Sequence, residues 1–185
     1  MPRTLFHTGA TCRQIIGVHF GFCQTNPQFD RREPILHLFM ISKRILPANP
    51  RATLDLGAEI SSQVSAGDLI TLSGPLGAGK TTFAQGLARG LGVPGEVRSP
   101  TFVLVIEYQG RLPLVHLDAY RLEAASFETL RDAGIDELLL RTDAVKLVEW
   151  PEMIAPWLGP AAFALTFELL EEGGREVTIR RASAG

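Results

Sequence analysis

The chain has 185 residues, 45% hydrophobic and 21% charged, values typical of a single globular α/β domain with a sizeable core. No run of 18 or more apolar residues occurs, so the sequence predicts no membrane contact and a cytoplasmic location. The whole chain carries −2, and residues 1–39 carry four arginines against two acids, so residues 40–185 carry −4. That charge argues against a surface that binds nucleic acid directly.

Residues 1–39 differ from the rest of the chain. They contain no acid before Asp30 and show no sustained helical or strand periodicity. We interpret them as a disordered extension or as a product of an upstream start codon, with Met40 in place for a fresh start. An organelle targeting segment is the alternative, although such segments are usually rich in serine. Cys12 and Cys23 lack metal-site spacing. Residues 40–185 are then one domain.

The first elements of that domain lead to a phosphate-binding motif. Apolar spacing predicts an amphipathic helix over 53–64, a short strand over 68–73, and a second helix over 81–91. The loop between the strand and the second helix reads Gly-Pro-Leu-Gly-Ala-Gly-Lys-Thr, residues 74–81, which matches the P-loop pattern G-x-x-x-x-G-K-[ST]. Such a loop cradles phosphates with its backbone amides, while Lys80 reaches the β- and γ-phosphates and Thr81 ligates Mg²⁺.

The elements after the P-loop alternate between strands and helices. Strands are predicted over 102–108, 112–117 and 144–148, and short helices over 124–130 and 135–140. Residues 162–170 and 176–180 predict a closing hairpin. This order predicts a mostly parallel sheet flanked by helices, with one antiparallel edge made by the hairpin. Ligands of such sheets bind at the carboxyl ends of the strands.

Two acids end apolar strands and are candidates for the carboxylate that a P-loop site needs near its metal. Asp118 follows 112–117 and Glu149 follows 145–148. One would hold Mg²⁺ and the other would orient the attacking water, and the residues alone leave the assignment open. Thr101 is a candidate to sense the γ-phosphate, since it lies on a loop where a hydroxyl can do so. His116 lies inside an apolar run and is interpreted as a core histidine, with a catalytic base as the alternative.

Four ordered motifs together resemble the TsaE (YjeE) family of small bacterial ATPases. They are L-G-A-G-K-T-T-F at 76–83, S-P-T-F at 99–102, H-x-D-x-Y-R at 116–121 and V-E-W-P at 148–151. The resemblance covers residues 45–180, outside the first 39 residues. Pro75 and Ala119 depart from the usual pattern of the family, at positions that offer no phosphate contact, so we expect activity to survive.

The resemblance implies ATP hydrolysis that supports formation of threonylcarbamoyladenosine (t6A) at adenosine 37 of tRNA. It implies docking on a complex of the TsaB and TsaD proteins, with tRNA reached only through these partners. Its cofactors would be ATP and Mg²⁺, with Thr81 and Glu149 at the metal and Asp118 supporting hydrolysis as a further metal candidate. The expected nucleotide contacts are Gly77, Ala78, Gly79, Lys80, Thr81, Thr82, Thr101 and Trp150, together with Arg51 and Arg175 where the family closes over the nucleotide.

Two other nucleotide-binding classes begin with the same loop. A small P-loop kinase of a nucleoside or other small molecule could recruit Arg121, Arg131 or Arg141, but no glycine-rich lid segment is evident. A GTPase usually selects guanine with an N-K-x-D segment, and both asparagines, Asn26 and Asn49, precede the P-loop. The sequence therefore favours an ATPase over a kinase and excludes that guanine motif.

Overall fold

The computed structural model describes residues 39–46, 49–123, 126–171 and 174–182 of the chain. The interpretation of residues 1–39 as an extension lies outside the described residues, except for Phe39, where the first strand begins. Cys12 and Cys23 lie outside them as well.

The described elements follow the predicted alternation closely. The strands are β1 (Phe39–Ile45), β2 (Leu69–Ser73), β3 (Val105–Tyr108), β4 (Leu114–Asp118), β5 (Val145–Glu149), β6 (Phe163–Leu169) and β7 (Arg175–Ala182). The helices are α1 (Pro50–Ser61), α2 (Lys80–Gly90), α3 (Phe127–Asp132) and α4 (Ile135–Leu139). One 3₁₀ turn, Tyr120–Leu122, follows β4, and two, Pro151–Met153 and Ala155–Trp157, follow β5.

The strands form one sheet in the order β1-β7-β6-β2-β5-β4-β3. Its centre is parallel, because β2 pairs in parallel with both β5 and β6, and β4 pairs in parallel with β5. The hairpin of β6 and β7 is antiparallel, as predicted. Two features were not predicted: β1 adds a further antiparallel strand beside β7, and β3 pairs antiparallel with β4 at the other edge.

Alternating side chains divide the core between the two faces of the sheet. Ile70, Leu72 and Leu147 face the cluster that contains α1 and α2. Leu69 and Val148 face a second cluster with α3, α4 and the 3₁₀ turns. The result is a helix, sheet, helix sandwich, and the P-loop lies where β2 leaves the sheet to become α2.

Helix α2 is held in place by close packing against α1. A Cβ atom on Gly86 would lie 1.9 Å from the carbonyl oxygen of Leu54, and one on Gly57 would lie 2.3 Å from that of Phe83. Backbones that approach this closely leave room only for glycine. Phe83 and Leu87 are fully buried in the same interface. The packing fixes the axis of α2, and with it the direction in which the helix N-terminus points.

Candidate active site

The P-loop has the backbone conformation that its glycines make possible. Gly74, Gly77 and Gly79 have φ angles of 132°, 77° and 107°, and Gly79 is the left-handed residue directly before α2. L-residues rarely adopt such angles, so the glycine spacing is what shapes the loop. The free amides of the first turn of α2, at Lys80, Thr81 and beyond, open toward the loop. A helix N-terminus with this loop in front of it is an anion site.

Lys80 lies folded into its own loop. Only 4% of the residue is exposed, and its Nζ donates hydrogen bonds to the carbonyl oxygens of Gly74, at 2.6 Å, and Pro75, at 2.9 Å. Nζ also lies 4.0 Å from the centre of the Trp150 ring. Burial lowers the pKa of Lys80, and the nearby carboxylates, Glu149 foremost, oppose that shift. The ammonium thus lies beside the position that a phosphate would take, and an incoming anion can replace its hydrogen bonds to the two carbonyl oxygens.

The two candidate acids lie side by side. β4 and β5 are parallel neighbours, and Asp118 is in register with Glu149. His116 is two residues before Asp118, so their side chains share the face of the sheet that carries α2. Both acids are 2% exposed. The sequence predicted that both would emerge at the strand ends beside the P-loop, and the structure places them there.

Glu149 is bound from two sides. Its Oε1 lies 2.9 Å from Nε2 of His116, and the Thr81 hydroxyl lies 3.5 Å from the same oxygen. A hydroxyl and a carboxylate are hard oxygen ligands of the kind that Mg²⁺ prefers, usually with waters and substrate phosphates completing the shell. The pair of Thr81 and Glu149 therefore fits the cation that a P-loop requires. Asp118 has no such contact with Thr81 within the described residues.

Asp118 is instead bound by the connector before β3. Its Oδ2 accepts hydrogen bonds from the hydroxyls of Ser99, at 3.0 Å, and Thr101, at 2.5 Å. Its Oδ1 accepts from the backbone amide of Tyr120 at 3.0 Å. The predicted strand over 102–108 begins only at Val105, because the chain turns tightly at 101–104. Leu104 in that turn has φ 67°, which is unusual for a residue with a branched side chain.

Trp150 begins the turn after β5 in a strained conformation. Its φ is 57° and ψ is 50°, the left-handed region that non-glycine residues seldom occupy. The conformation directs the indole under Lys80 and against Tyr120, whose ring centre lies 5.0 Å away. Strain of this kind, of the order of 1–3 kcal/mol, persists where the surroundings hold it. The resemblance implied a nucleotide contact for Trp150, and its ring lies beside the P-loop lysine.

The two arginines assigned to the nucleotide differ in their surroundings. A Cβ atom on Gly79 would lie 2.7 Å from Nη1 of Arg175, so that guanidinium lies against the P-loop. Arg51, at the start of α1, is 73% exposed in its side chain and forms a 3.2 Å ion pair with Asp55. The structure thus brings Arg175 into contact with the loop, whereas the ion-pair partner of Arg51 is Asp55.

Comparison with known proteins identifies the family. The family model described as "Threonylcarbamoyl adenosine biosynthesis protein TsaE" matches residues 47–178. The chain belongs to the TsaE family. The resemblance drawn from the four sequence motifs is therefore confirmed.

Similar proteins cover most of the chain. The tRNA threonylcarbamoyladenosine biosynthesis protein TsaE of Treponema pallidum is 38% identical over 136 residues, which are 74% of this chain and 98% of the relative. That of Bacillus subtilis is 40% identical over 132 residues, 71% of this chain and 80% of the relative. The crystal structure of YdiB from Bacillus subtilis superposes with a TM-score of 0.64 at 30% identity, covering 80% of this chain and 89% of that one. The predicted P-loop NTPase fold is confirmed.

Sequence reasoning missed two contacts of this TsaE-family site. His116 was interpreted as a core residue, and it is fully buried, yet it bonds to Glu149. The signal was its position two residues before Asp118, on the same face of the strand. Ser99 stood within a quoted motif without a role, and it shares Asp118 with Thr101.

Among the described residues, no helix has the length and apolar character needed to cross a membrane.

Proposed function

We propose that this TsaE-family chain is a Mg²⁺-dependent ATPase that supports t6A formation on tRNA by acting on a TsaB–TsaD complex. The observation that carries the proposal is the joint placement of a glycine-shaped P-loop, Lys80, and the Thr81–Glu149 pair at one edge of the sheet. The P-loop amides, with Ala78 and Thr82 beside Gly77, would bind the phosphates of ATP. Mg²⁺, held through Thr81 and Glu149, would neutralise charge on the β- and γ-phosphates.

The residues around the phosphates divide the work. Lys80 would exchange its hydrogen bonds to the Gly74 and Pro75 carbonyls for bonds to phosphate oxygens. Because the ammonium already lies within the loop, this exchange needs only a small movement of the side chain. Asp118 would orient and accept a proton from the attacking water, a role for which a carboxylate clear of Thr81 is suited. Thr101 now occupies Oδ2 of Asp118, so it would have to leave this oxygen to reach a γ-phosphate. Such an exchange would make Thr101 a sensor of bound ATP.

Charge and exposed apolar side chains support the partner part of the proposal. Residues 40–185 carry −4, which disfavours direct tRNA binding. Leu76 in the P-loop is 87% exposed, and Phe102 and Val103 in the connector are 83% and 65% exposed. Large exposed apolar side chains beside a site commonly mark a protein contact. Phe102 and Val103 directly follow Thr101, which bonds to Asp118, so a partner that covers them could influence hydrolysis.

The ATPase part is tested with Lys80→Met and a matched control, Lys146→Met. Lys146 is 8% exposed, donates to a backbone carbonyl at 2.7 Å, and also has its pKa lowered by burial. We expect wild-type protein and the Lys146 variant to release phosphate from ATP without an added acceptor, and the Lys80 variant to release none. Equal turnover in both variants would refute the assignment. Phosphoryl transfer to a nucleoside in place of phosphate release would favour the kinase.

The partner part is tested by pull-down with TsaB–TsaD in the presence of ATP and Mg²⁺. We expect capture of the wild-type chain, and loss of capture in Phe102→Ser. Leu140→Ser is the matched control, since Leu140 is 70% exposed at the end of α4 and should tolerate the change. Absence of capture of the wild-type chain under every nucleotide condition would contradict the proposed partner. If Phe102→Ser were captured as well as the wild-type chain, the proposed partner would stand, but Phe102 would not be part of the contact.

A further inference from the structure

His116 is buried in a way that a purely structural histidine does not require. The residue is fully buried on β4, and Nε2 lies 2.9 Å from Glu149 Oε1, while Nδ1 has no hydrogen-bond partner in the described part of the chain. A buried polar atom without a hydrogen-bond partner destabilises the folded state. An apolar residue of similar size would avoid that cost. Within the described residues, the hydrogen bond to Glu149 is thus the one polar contact of this buried imidazole.

The geometry assigns one tautomer. An ionised carboxylate only accepts hydrogen bonds, so Nε2 must carry the proton that lies between the ring and Glu149. In the neutral imidazole that donates from Nε2, the orphaned Nδ1 is the unprotonated nitrogen, which is less costly to leave without a partner than an N–H group would be. The strand register places His116 opposite Leu147 on β5, two residues before the pair formed by Asp118 and Glu149. His116 and Glu149 therefore lie on one face of the sheet, where the imidazole contacts one oxygen of the carboxylate.

We propose that His116 is a positioning residue that orients the Glu149 carboxylate for the metal of the nucleotide complex. The imidazole lies 2.9 Å from Oε1, and the same oxygen lies 3.5 Å from the Thr81 hydroxyl, so a metal beside Thr81 would meet a carboxylate whose orientation His116 holds. Partners that orient metal ligands in this way typically contribute 10–100-fold to metal affinity or activity. The inference rests on the proposed function, since it requires Glu149 to serve the Mg²⁺ of bound ATP.

The test measures metal affinity rather than turnover. Mn²⁺ replaces Mg²⁺ and is titrated into protein saturated with ADP, and free Mn²⁺ is counted by its paramagnetic resonance. We expect His116→Leu to weaken Mn²⁺ binding about 10-fold or more while metal-free ADP binding changes less than about 2-fold. His116→Gln places an amide N–H near the position of Nε2 and should restore most of the affinity. Unchanged Mn²⁺ affinity in the leucine variant, or a glutamine variant as weak as leucine, overturns the inference.

A second measurement on wild-type protein decides the matter if the leucine variant does not fold. Nitrogen-15 chemical shifts of the His116 ring report which nitrogen carries the proton. We expect a protonated Nε2 and a bare Nδ1, with the Nε2 signal moving when Mg²⁺ and ADP bind. A ring protonated on Nδ1 contradicts the proposal. Failure of the proposed function itself has a different signature, because Glu149→Gln would then leave Mn²⁺ affinity unchanged.

Discussion

Glu149→Gln separates the metal role of this residue from its role in the fold. The free protein should change little, because the glutamine oxygen can still accept from Nε2 of His116, 2.9 Å away in the wild type. A hydrogen bond to a charged group contributes about 1.5–3 kcal/mol and a neutral one about 0.5–1.5. The variant therefore loses about 1 kcal/mol from this bond. Removing a 2% exposed charge offsets part of that loss.

The effect should instead appear when nucleotide and metal bind. Mg²⁺–nucleotide at 100 times its dissociation constant stabilises the wild type by about 2.7 kcal/mol. If the substitution weakens binding tenfold, the same concentration stabilises the variant by about 1.4 kcal/mol. The difference of about 1.3 kcal/mol corresponds to about 3–5 °C in melting temperature for a chain of this size.

Thermal unfolding with and without Mg²⁺ and a non-hydrolysable ATP analogue measures this difference. Glu176→Gln is the matched control, since Glu176 is 8% exposed and binds Arg44 at 2.6 Å, in an ion pair on the β1–β7 strands. It should change the melting temperature equally with and without ligand. If Glu149→Gln gains as much from Mg²⁺–nucleotide as the wild type does, the reasoning that places Glu149 at the metal is refuted.

Two further substitutions test the nucleotide contacts. Arg175→Ala should raise the KM for ATP several-fold with little change in kcat, because the guanidinium lies against Gly79. Arg181→Ala is the control on the same strand and should leave KM and kcat unchanged, since that side chain lies 5.2 Å from the Phe163 ring. Equal effects of the two substitutions in steady-state assays would argue against a nucleotide role for Arg175. Thr101→Val should lower kcat about 10-fold or more while Thr101→Ser retains most of it, since the proposed role needs only the hydroxyl. A valine variant with full turnover, measured by phosphate release, would remove Thr101 from the mechanism.

The centre of the fold could be predicted because its signals are local. The P-loop spelling fixes a strand before it and a helix after it, and β2 and α2 begin within one residue of their predicted starts. The two edge strands of the sheet, β1 and β3, were harder to predict from the sequence. β1 is defined by its pairing with β7, more than 130 residues later in the chain, and no periodicity in 39–45 signals that partner. β3 pairs antiparallel with β4 because only residues 109–113 connect the two strands, and its late start follows from the turn at 101–104, where the positive φ of Leu104 is not signalled by the residue type.

In the candidate site, too, the features that have local sequence signals could be predicted and those that depend on distant segments could not. Asp118 and Glu149 could be found from sequence because each ends an apolar run, and parallel strands bring such ends together. The difference between the two acids could not, because it depends on what reaches them from other segments. Thr81 and His116 approach Glu149, whereas Ser99 and Thr101 approach Asp118. Arg175 lies against the P-loop whereas Arg51 pairs with Asp55, and this difference likewise depends on the geometry of α1 and β7, which the motifs do not encode.

A crystal structure with Mg²⁺ and a non-hydrolysable ATP analogue tests the central claim most directly. The account predicts that Lys80 Nζ leaves the carbonyls of Gly74 and Pro75 for phosphate oxygens, with the metal beside Thr81 and Glu149. Nucleotide bound with Lys80 still on those carbonyls, or a metal away from both Thr81 and Glu149, would contradict it.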